Sequence, residues 1–137
     1  MFLLLKVGGS VASKNDARNH PVTAILVAAI AMLVLDDYVI DVLMRDLVGH
    51  DRKPASFLVY LWLTSEQARR HGAVRVSYQE LAESVGLSKS SAQAAVSWLV
   101  RRKLLATSKE NATAVPSYTA RSPWSDAARR ISLHRNH

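Results

Sequence analysis

Apolar side chains recur at helical spacing early in the chain. Val39, Leu43 and Leu47 repeat every four positions while the charged residues Asp37, Asp41 and Arg45 occupy another face, so the pattern predicts a helix over residues 35–47. Gly49 and the polar residues after it are expected to end this helix.

A second helix is predicted from Pro54 to about Arg70. Proline is well tolerated in the first turn of a helix, and Gly72 is expected to terminate the element. The apolar face of this helix is formed by Phe57, Leu58, Tyr60, Leu61 and Trp62.

The residues after Gly72 give two local patterns in succession. Val74 and Val76 flank Arg75, which predicts a short, half-buried strand within residues 73–77. Ser77 followed by Glu80 matches a capping box, so a short helix is expected to begin there.

A glycine-containing turn joins this short helix to a longer one. Gly86 suits the tight turn, Leu87 is expected to enter the core, and Ser88 is placed to cap the second helix. The predicted inner positions are Leu81, Ala82, Val85, Ala92, Ala95, Val96 and Leu99. The predicted outer positions of the second helix are Lys89, Ser90, Gln93, Ala94, Ser97 and Arg101. Two helices joined in this way predict a helix-turn-helix.

After Leu105 the pattern changes to that of a β-hairpin. Residues 104–108 predict one strand, 109–111 a polar tip, and 113–119 a returning strand interrupted by Pro116. Because proline has no N–H group, we expect this returning strand at a sheet edge. A hairpin directly after the second helix indicates a wing.

These elements divide the chain into three parts. Residues 1–34 form an N-terminal extension with a possible apolar helix over 22–35, residues 35–124 form the folded domain, and 125–137 form a basic C-terminal tail. Trp124 is expected to fold back over the hairpin, and the tail is expected to be frayed.

The apolar stretch over residues 22–35 has three interpretations. It fits a buried or dimer-forming helix, an unstructured extension, or a membrane anchor. Fourteen residues reach roughly 21 Å as a helix, less than the roughly 30 Å of a hydrocarbon core, and Asp36 and Asp37 follow directly. A membrane partner is therefore the least favoured interpretation, and we expect a cytoplasmic protein.

Two features of the composition restrict the classes of function that the chain can have: its net charge and the absence of cysteine. With no cysteine among 137 residues, disulfides, thiolate metal sites and cysteine nucleophiles are excluded. The net charge is +7, and residues 88–137 alone carry nine Lys and Arg against two acidic residues. An excess concentrated at one end of the chain predicts a surface that binds a polyanion.

No pattern points to catalysis, to a metal or to another cofactor. The chain shows no phosphate-binding loop, dinucleotide fingerprint or nucleophile motif. The five histidines are scattered without metal-ligand spacing, at His20, His50, His71, His134 and His137. We therefore predict a protein that is not an enzyme.

Residues 51–124 resemble the winged helix-turn-helix DNA-binding domains of bacterial transcription regulators. The match is carried by residues 76–105, VSYQELAESVGLSKSSAQAAVSWLVRRKLL, in an order similar to MarR-type and GntR-type regulators and plasmid replication initiators. The resemblance implies a mainly α fold with a small β-hairpin and an N-terminal helical extension. It also implies sequence-specific binding of double-stranded DNA in transcriptional regulation.

The resemblance further implies a homodimer. MarR-like proteins usually dimerise through long terminal helices, and the C-terminal tail here is short. The dimer contacts are therefore expected in the N-terminal helices, within residues 22–47. Whether a small-molecule effector binds between those helices is left open, because no residue requires one.

In the architecture that the resemblance implies, the second helix lies in the major groove of DNA. Lys89 and Gln93 are the expected base readers, through guanine and adenine respectively. Ser90, Ser91 and Ser97 are short donors expected to contact phosphates or base edges. Ala94 is expected to permit close approach and to contact a thymine methyl group. Phosphate contacts are expected from Tyr78, Gln79, Arg101, Arg102 and Lys103, and contacts to the adjacent minor groove or backbone from Lys109 and Arg121.

Some of these residues also have a purely structural interpretation. Ser88 fits a helix cap better than a ligand contact, and Trp62 and Trp98 fit core packing. Cations such as Arg101 are favoured at a helix C-terminus by the helix dipole alone. At the level of function, the alternative is a winged-helix module for protein interaction or for initiation of replication.

Overall fold

The computed structural model describes residues 32–135. Contacts divide the chain into two compact units, Met1–Leu35 and Asp36–His137. Of the first unit, only residues 32–35 are described, and they have no regular secondary structure, so the helix expected over 22–35 does not extend to them. The rest of that predicted helix, and the extension before it, lie outside the described residues.

The second unit is mainly helical with a small antiparallel sheet, as the sequence predicts. Its α-helices are α1 (Pro54–Arg70), α2 (Tyr78–Val85), α3 (Lys89–Arg101) and α4 (Pro123–Arg135). Its strands are β1 (Val74–Arg75), β2 (Leu105–Ser108) and β3 (Ser117–Ala120).

The helix predicted over residues 35–47 is present, but with a different winding and later bounds. It consists of two π-helical stretches, Val39–Leu43 and Arg45–His50, which we call the N-terminal segment. The Asp36 carboxylate accepts a hydrogen bond from the backbone N–H of Tyr38 at 3.1 Å, so the aspartate caps the start of the helix. The side chains buried by this segment are Val39, Leu43 and Leu47, as predicted.

Helix α1 has the predicted bounds, with Pro54 in its first turn. Its C-terminal residue in the left-handed conformation is His71, with φ 55°, and not the expected Gly72. The apolar face is also rotated from the prediction, because Val59 and Leu63 are buried whereas Leu58 is 47% exposed.

Helices α2 and α3 are joined as predicted, and each is capped by a serine. The Ser77 hydroxyl accepts from the Glu80 N–H at 3.1 Å and the Glu80 carboxylate accepts from the Ser77 N–H at 3.3 Å, which completes the capping box. Gly86 adopts φ 86° in the turn. Ser88 caps α3 by accepting from the Ser91 N–H at 3.1 Å.

The three strands pair in the order β1–β3–β2, with both pairs antiparallel. The prediction that Pro116 confines the returning strand to a sheet edge is wrong, because β3 is the central strand. The proline lies just before β3, where its missing N–H costs no ladder hydrogen bond, and its carbonyl accepts from the Val76 N–H at 3.3 Å.

The end of the chain also differs from the prediction. The residues expected to be a frayed tail are helical through Arg135, as part of α4. Trp124, which was expected to fold back over the hairpin, packs against the hydrophobic core and stacks on Tyr38, with ring centroids 4.4 Å apart, and it donates a hydrogen bond to the Asp36 carboxylate at 3.0 Å. The first turn of α4 is therefore held against the start of the N-terminal segment.

Candidate nucleic-acid interface

Helix α3 presents two chemically distinct faces. Its buried face consists of Ala92, Ala95, Val96 and Leu99, which pack into the core. The opposite face is exposed along its whole length and carries Lys89, Ser90, Gln93, Ala94, Ser97 and Arg101. The residues expected to meet base edges thus share one open surface, which is cationic at both ends and made of small or amide side chains between them.

Two of the expected serine contacts take part in the cap of α3. The Ser88 hydroxyl donates to the Ser91 hydroxyl at 2.8 Å and lies 3.2 Å from that of Ser90. Ser91 is partly buried, whereas Ser90 is exposed. Ser90 is therefore the more accessible of the two serines.

A carboxylate that the sequence analysis did not single out organises the C-terminal end of α3. The side chain of Asp51 is only 5% exposed and accepts hydrogen bonds from Trp98 Nε1 at 3.0 Å and from Arg102 Nε at 3.3 Å. His50 Nδ1 lies 3.0 Å from its other oxygen. Burial alone raises the pKa of the Asp51 carboxyl, but the hydrogen bonds from His50 and Trp98 and the charge of Arg102 outweigh it, so the pKa is lowered.

The cations at this end of α3 differ in how free they are. Arg102 is engaged by Asp51 and, at 3.6 Å, by Asp46 of the N-terminal segment. Arg101 lies over the ring of Trp98, with its guanidinium carbon 5.5 Å from the ring centroid. Lys103 is exposed in the turn that follows, with φ 60°. Arg102 therefore has a structural role in the domain in addition to its expected phosphate contact.

The start of α2 has fewer free side-chain groups for binding a phosphate than the sequence predicts. Gln79 donates from Nε2 to the Glu83 carboxylate at 2.7 Å, and the capping box already supplies an acceptor at this helix terminus. Tyr78 is partly buried beside Tyr118, and burial of Tyr118 together with this neighbour raises the Tyr118 pKa. The side chains of Gln79 and Tyr78 are thus engaged within the domain.

The structure separates Lys109 from Arg121. Lys109 is exposed where the chain leaves β2, at the tip of the hairpin, and Glu110 beside it pairs with Arg75 at 3.7 Å. Arg121 follows β3 at the opposite end of the hairpin, where its N–H donates to the Leu104 carbonyl at 2.9 Å. These two residues, both expected to contact the adjacent minor groove or backbone, thus lie at opposite ends of the hairpin, because β3 carries the chain back to the base of the sheet.

Two further arginines lie beside Arg121. Arg129 and Arg130 of α4 line an open groove together with Arg121, Asp126 and Leu133. The sequence analysis does not predict a site at these two residues, because the short, basic segment 125–137 is expected to be a frayed tail. The helix signal was nevertheless present, with Pro123 at the first position and Asp126 in the first turn.

Neither a metal site nor a membrane span is found in the described part of the chain. Over residues 32–135, no three histidine or carboxylate side chains converge as metal ligands. Within the same residues, every helix is too short or too polar to cross a bilayer. Comparison with protein-family models, with curated proteins and with solved structures finds no match to this chain.

Proposed function

We propose that this protein is a winged helix-turn-helix regulator that binds double-stranded DNA sequence-specifically, with α3 as the recognition helix and the β2–β3 hairpin as the wing. The single observation that carries the proposal is the open face of α3, where Lys89, Gln93 and Ser97 are all exposed. The buried alanines on the other face let α3 pack closely on the domain while this face stays free.

Side-chain chemistry supports different roles along this face. Lys89 can donate to guanine and Gln93 can pair bidentately with adenine, so these two residues would read bases. Ala94 permits close approach to the groove and offers a methyl contact to thymine. Lys109 at the wing tip and Lys103 after α3 would contact phosphates, which fixes the register of the protein on the duplex without reading sequence.

We further propose that the protein acts as a cytoplasmic homodimer with its dimer contacts in the N-terminal segment. Ile40, Met44 and Val48 repeat every four residues along this segment and are 46%, 39% and 41% exposed. An exposed apolar stripe along a helix is typical of a surface that packs against another subunit. Such a dimer would bind two half-sites related by two-fold symmetry.

Selection of bound sequences from random duplexes, followed by sedimentation of the free protein, tests this proposal. We expect an enriched palindromic sequence with half-sites about one helical turn apart, roughly 10 base pairs, and a dimer in solution. Failure to enrich any sequence would contradict the proposal. Recovery of a protein partner without DNA would instead favour a winged-helix interaction module.

A further inference from the structure

A cluster of guanidinium groups lies where β3 meets α4, outside the surface assigned to base reading. Arg121, Arg129 and Arg130 line the same open groove, with Asp126 and Leu133 completing its walls. We call this feature the arginine groove. It lies at the base of the hairpin, at the opposite end from Lys109.

The charges of the arginine groove are not paired with carboxylates in the part of the chain that the structure describes. In the described part of the chain, ion pairs to carboxylates involve Arg69, Arg70, Arg75 and Arg102, but none of the groove arginines. Arg130 donates only to the backbone carbonyl of Asp126, at 3.4 Å. Three cations facing one carboxylate repel one another, and a bound anion would relieve that repulsion.

Packing does not explain why these arginines lie together. Helix α4 has no buried residue among Pro123–Arg135, so the core places few demands on its sequence. Arginine, in addition, presents a planar fork of donors that matches phosphate oxygens bidentately. The groove therefore has the chemistry of a phosphate-binding surface.

The position of the groove relates it to α3. The Arg121 N–H bonds the Leu104 carbonyl, and Leu104 directly follows the exposed Lys103 at the end of α3. Between this base and the hairpin tip, β3 spans four residues, or about 13 Å at the rise of a strand. That length is close to the width of the major groove, about 12 Å. The two ends of the hairpin can therefore reach phosphates on the two opposite sides of the major groove.

We propose that the arginine groove binds the phosphodiester backbone of the DNA duplex that α3 reads, on the side of the major groove opposite Lys109. This inference rests on the proposed function and deepens it, because it adds a second backbone contact from α4. The groove contributes affinity that does not depend on base sequence.

The salt dependence of DNA binding tests the inference. Dissociation constants of the full chain would be measured over a range of salt for the parent, Arg129→Ala and Arg130→Ala, on the selected sequence and on a random duplex. Each neutralised phosphate contributes about −0.9 to the slope of log binding constant against log salt concentration. Each substitution should therefore reduce the magnitude of this slope by about 0.9 and weaken binding to both duplexes equally.

Arg69→Ala is the matched control, since Arg69 is an exposed arginine of α1 whose charge is paired with Glu66, and it should leave the slope unchanged. Unchanged slopes for Arg129→Ala and Arg130→Ala would overturn the inference, even if Lys89→Ala still loses its sequence preference and the proposed function stands. A parent that binds no duplex would overturn both. Sedimentation at matched concentration measures whether the arginine variants are still dimers. Loss of the dimer would show that the groove contacts a second copy of the chain, and it would overturn the inference.

Discussion

At the scale of single residues, Asp51 connects three parts of the domain. Its carboxylate bonds Trp98 and Arg102 near the end of α3, while the residue itself belongs to the linker between the N-terminal segment and α1. Lys53 from the same linker lies over the Trp98 ring, 5.2 Å from its centroid. The orientation of the last turn of α3 therefore depends on one buried charge.

We expect Asp51→Asn to destabilise the domain by about 1–2 kcal/mol near neutral pH, because hydrogen bonds to a charged group are lost or weakened. The folded-state pKa of Asp51 is lowered, so its stabilisation is present above the unfolded pKa of about 3.9 and is lost as pH falls through the folded value. Urea unfolding between about pH 7 and about pH 2.5 measures both effects.

The gap between parent and Asp51→Asn should therefore close only at the acidic end of this range. Asp41→Asn is the control, because Asp41 is exposed on the N-terminal segment, and it should change stability by no more than about 0.5 kcal/mol. A gap that persists unchanged at the lowest pH would contradict the assigned role of the Asp51 charge.

The basic residues at the end of α3 show why the role of each side chain is harder to predict from the sequence than the helix that carries it. Arg101, Arg102 and Lys103 are consecutive in sequence and are all expected to contact phosphates, yet Arg102 pairs with Asp46 and Asp51 in the folded domain. Those partners are about fifty residues away in the chain. Local spacing identifies a basic helix end, but it contains no information on which cation the tertiary fold neutralises.

At the scale of elements, the turn between α2 and α3 sets the direction of the proposed recognition helix. Gly86 has φ 86°, in the left-handed region that side chains rarely adopt. A Cβ atom at this position would meet no atom within 4 Å, so the cost of a substitution is conformational rather than steric.

We expect Gly86→Ala to destabilise the domain by about 1–2 kcal/mol, which is the cost of the left-handed backbone for a non-glycine residue. Gly49→Ala is a matched control, because its Cβ would also meet nothing within 4 Å and its φ is not positive. That control should be neutral or slightly stabilising, since alanine favours the helix. Equal unfolding midpoints for Gly86→Ala and the parent would contradict this account.

Elements with complete local signals could be predicted from the sequence, whereas elements defined by tertiary contacts could not. Ser77, Glu80, Gly86 and Ser88 fix the ends of α2 and α3 through bonds within four residues, and both helices were predicted. The central position of β3 depends on pairing with β1, more than forty residues away, and was missed. Helix α4 was missed although its start carries a helix signal, because its composition is typical of a solvated tail.

At the scale of the whole molecule, acidic and basic residues are unevenly distributed along the sequence of the folded unit. The N-terminal segment and its flanks carry Asp36, Asp37, Asp41, Asp46 and Asp51, whereas the cations concentrate from α3 onward. Asp46 and Asp51 lie against Arg102 near the end of α3, so the net excess of cations, and not a separate acidic side, would attract a polyanion before contact. The basic end was evident from the sequence, but its division into the α3 face, the hairpin tip and the arginine groove needed the fold.

The most direct test of the central claim compares Lys89→Ala and Gln93→Ala with the parent on the selected sequence and on random duplexes. Because these side chains would read bases, each variant should lose about 1–3 kcal/mol on the selected sequence, roughly 5- to 150-fold in Kd, and much less on random DNA. Lys109→Ala is the control for a contact to the DNA phosphate backbone, and it should weaken binding to both duplexes equally. Equal losses on the two duplexes for Lys89→Ala and Gln93→Ala would contradict the claim that the open face of α3 reads DNA sequence.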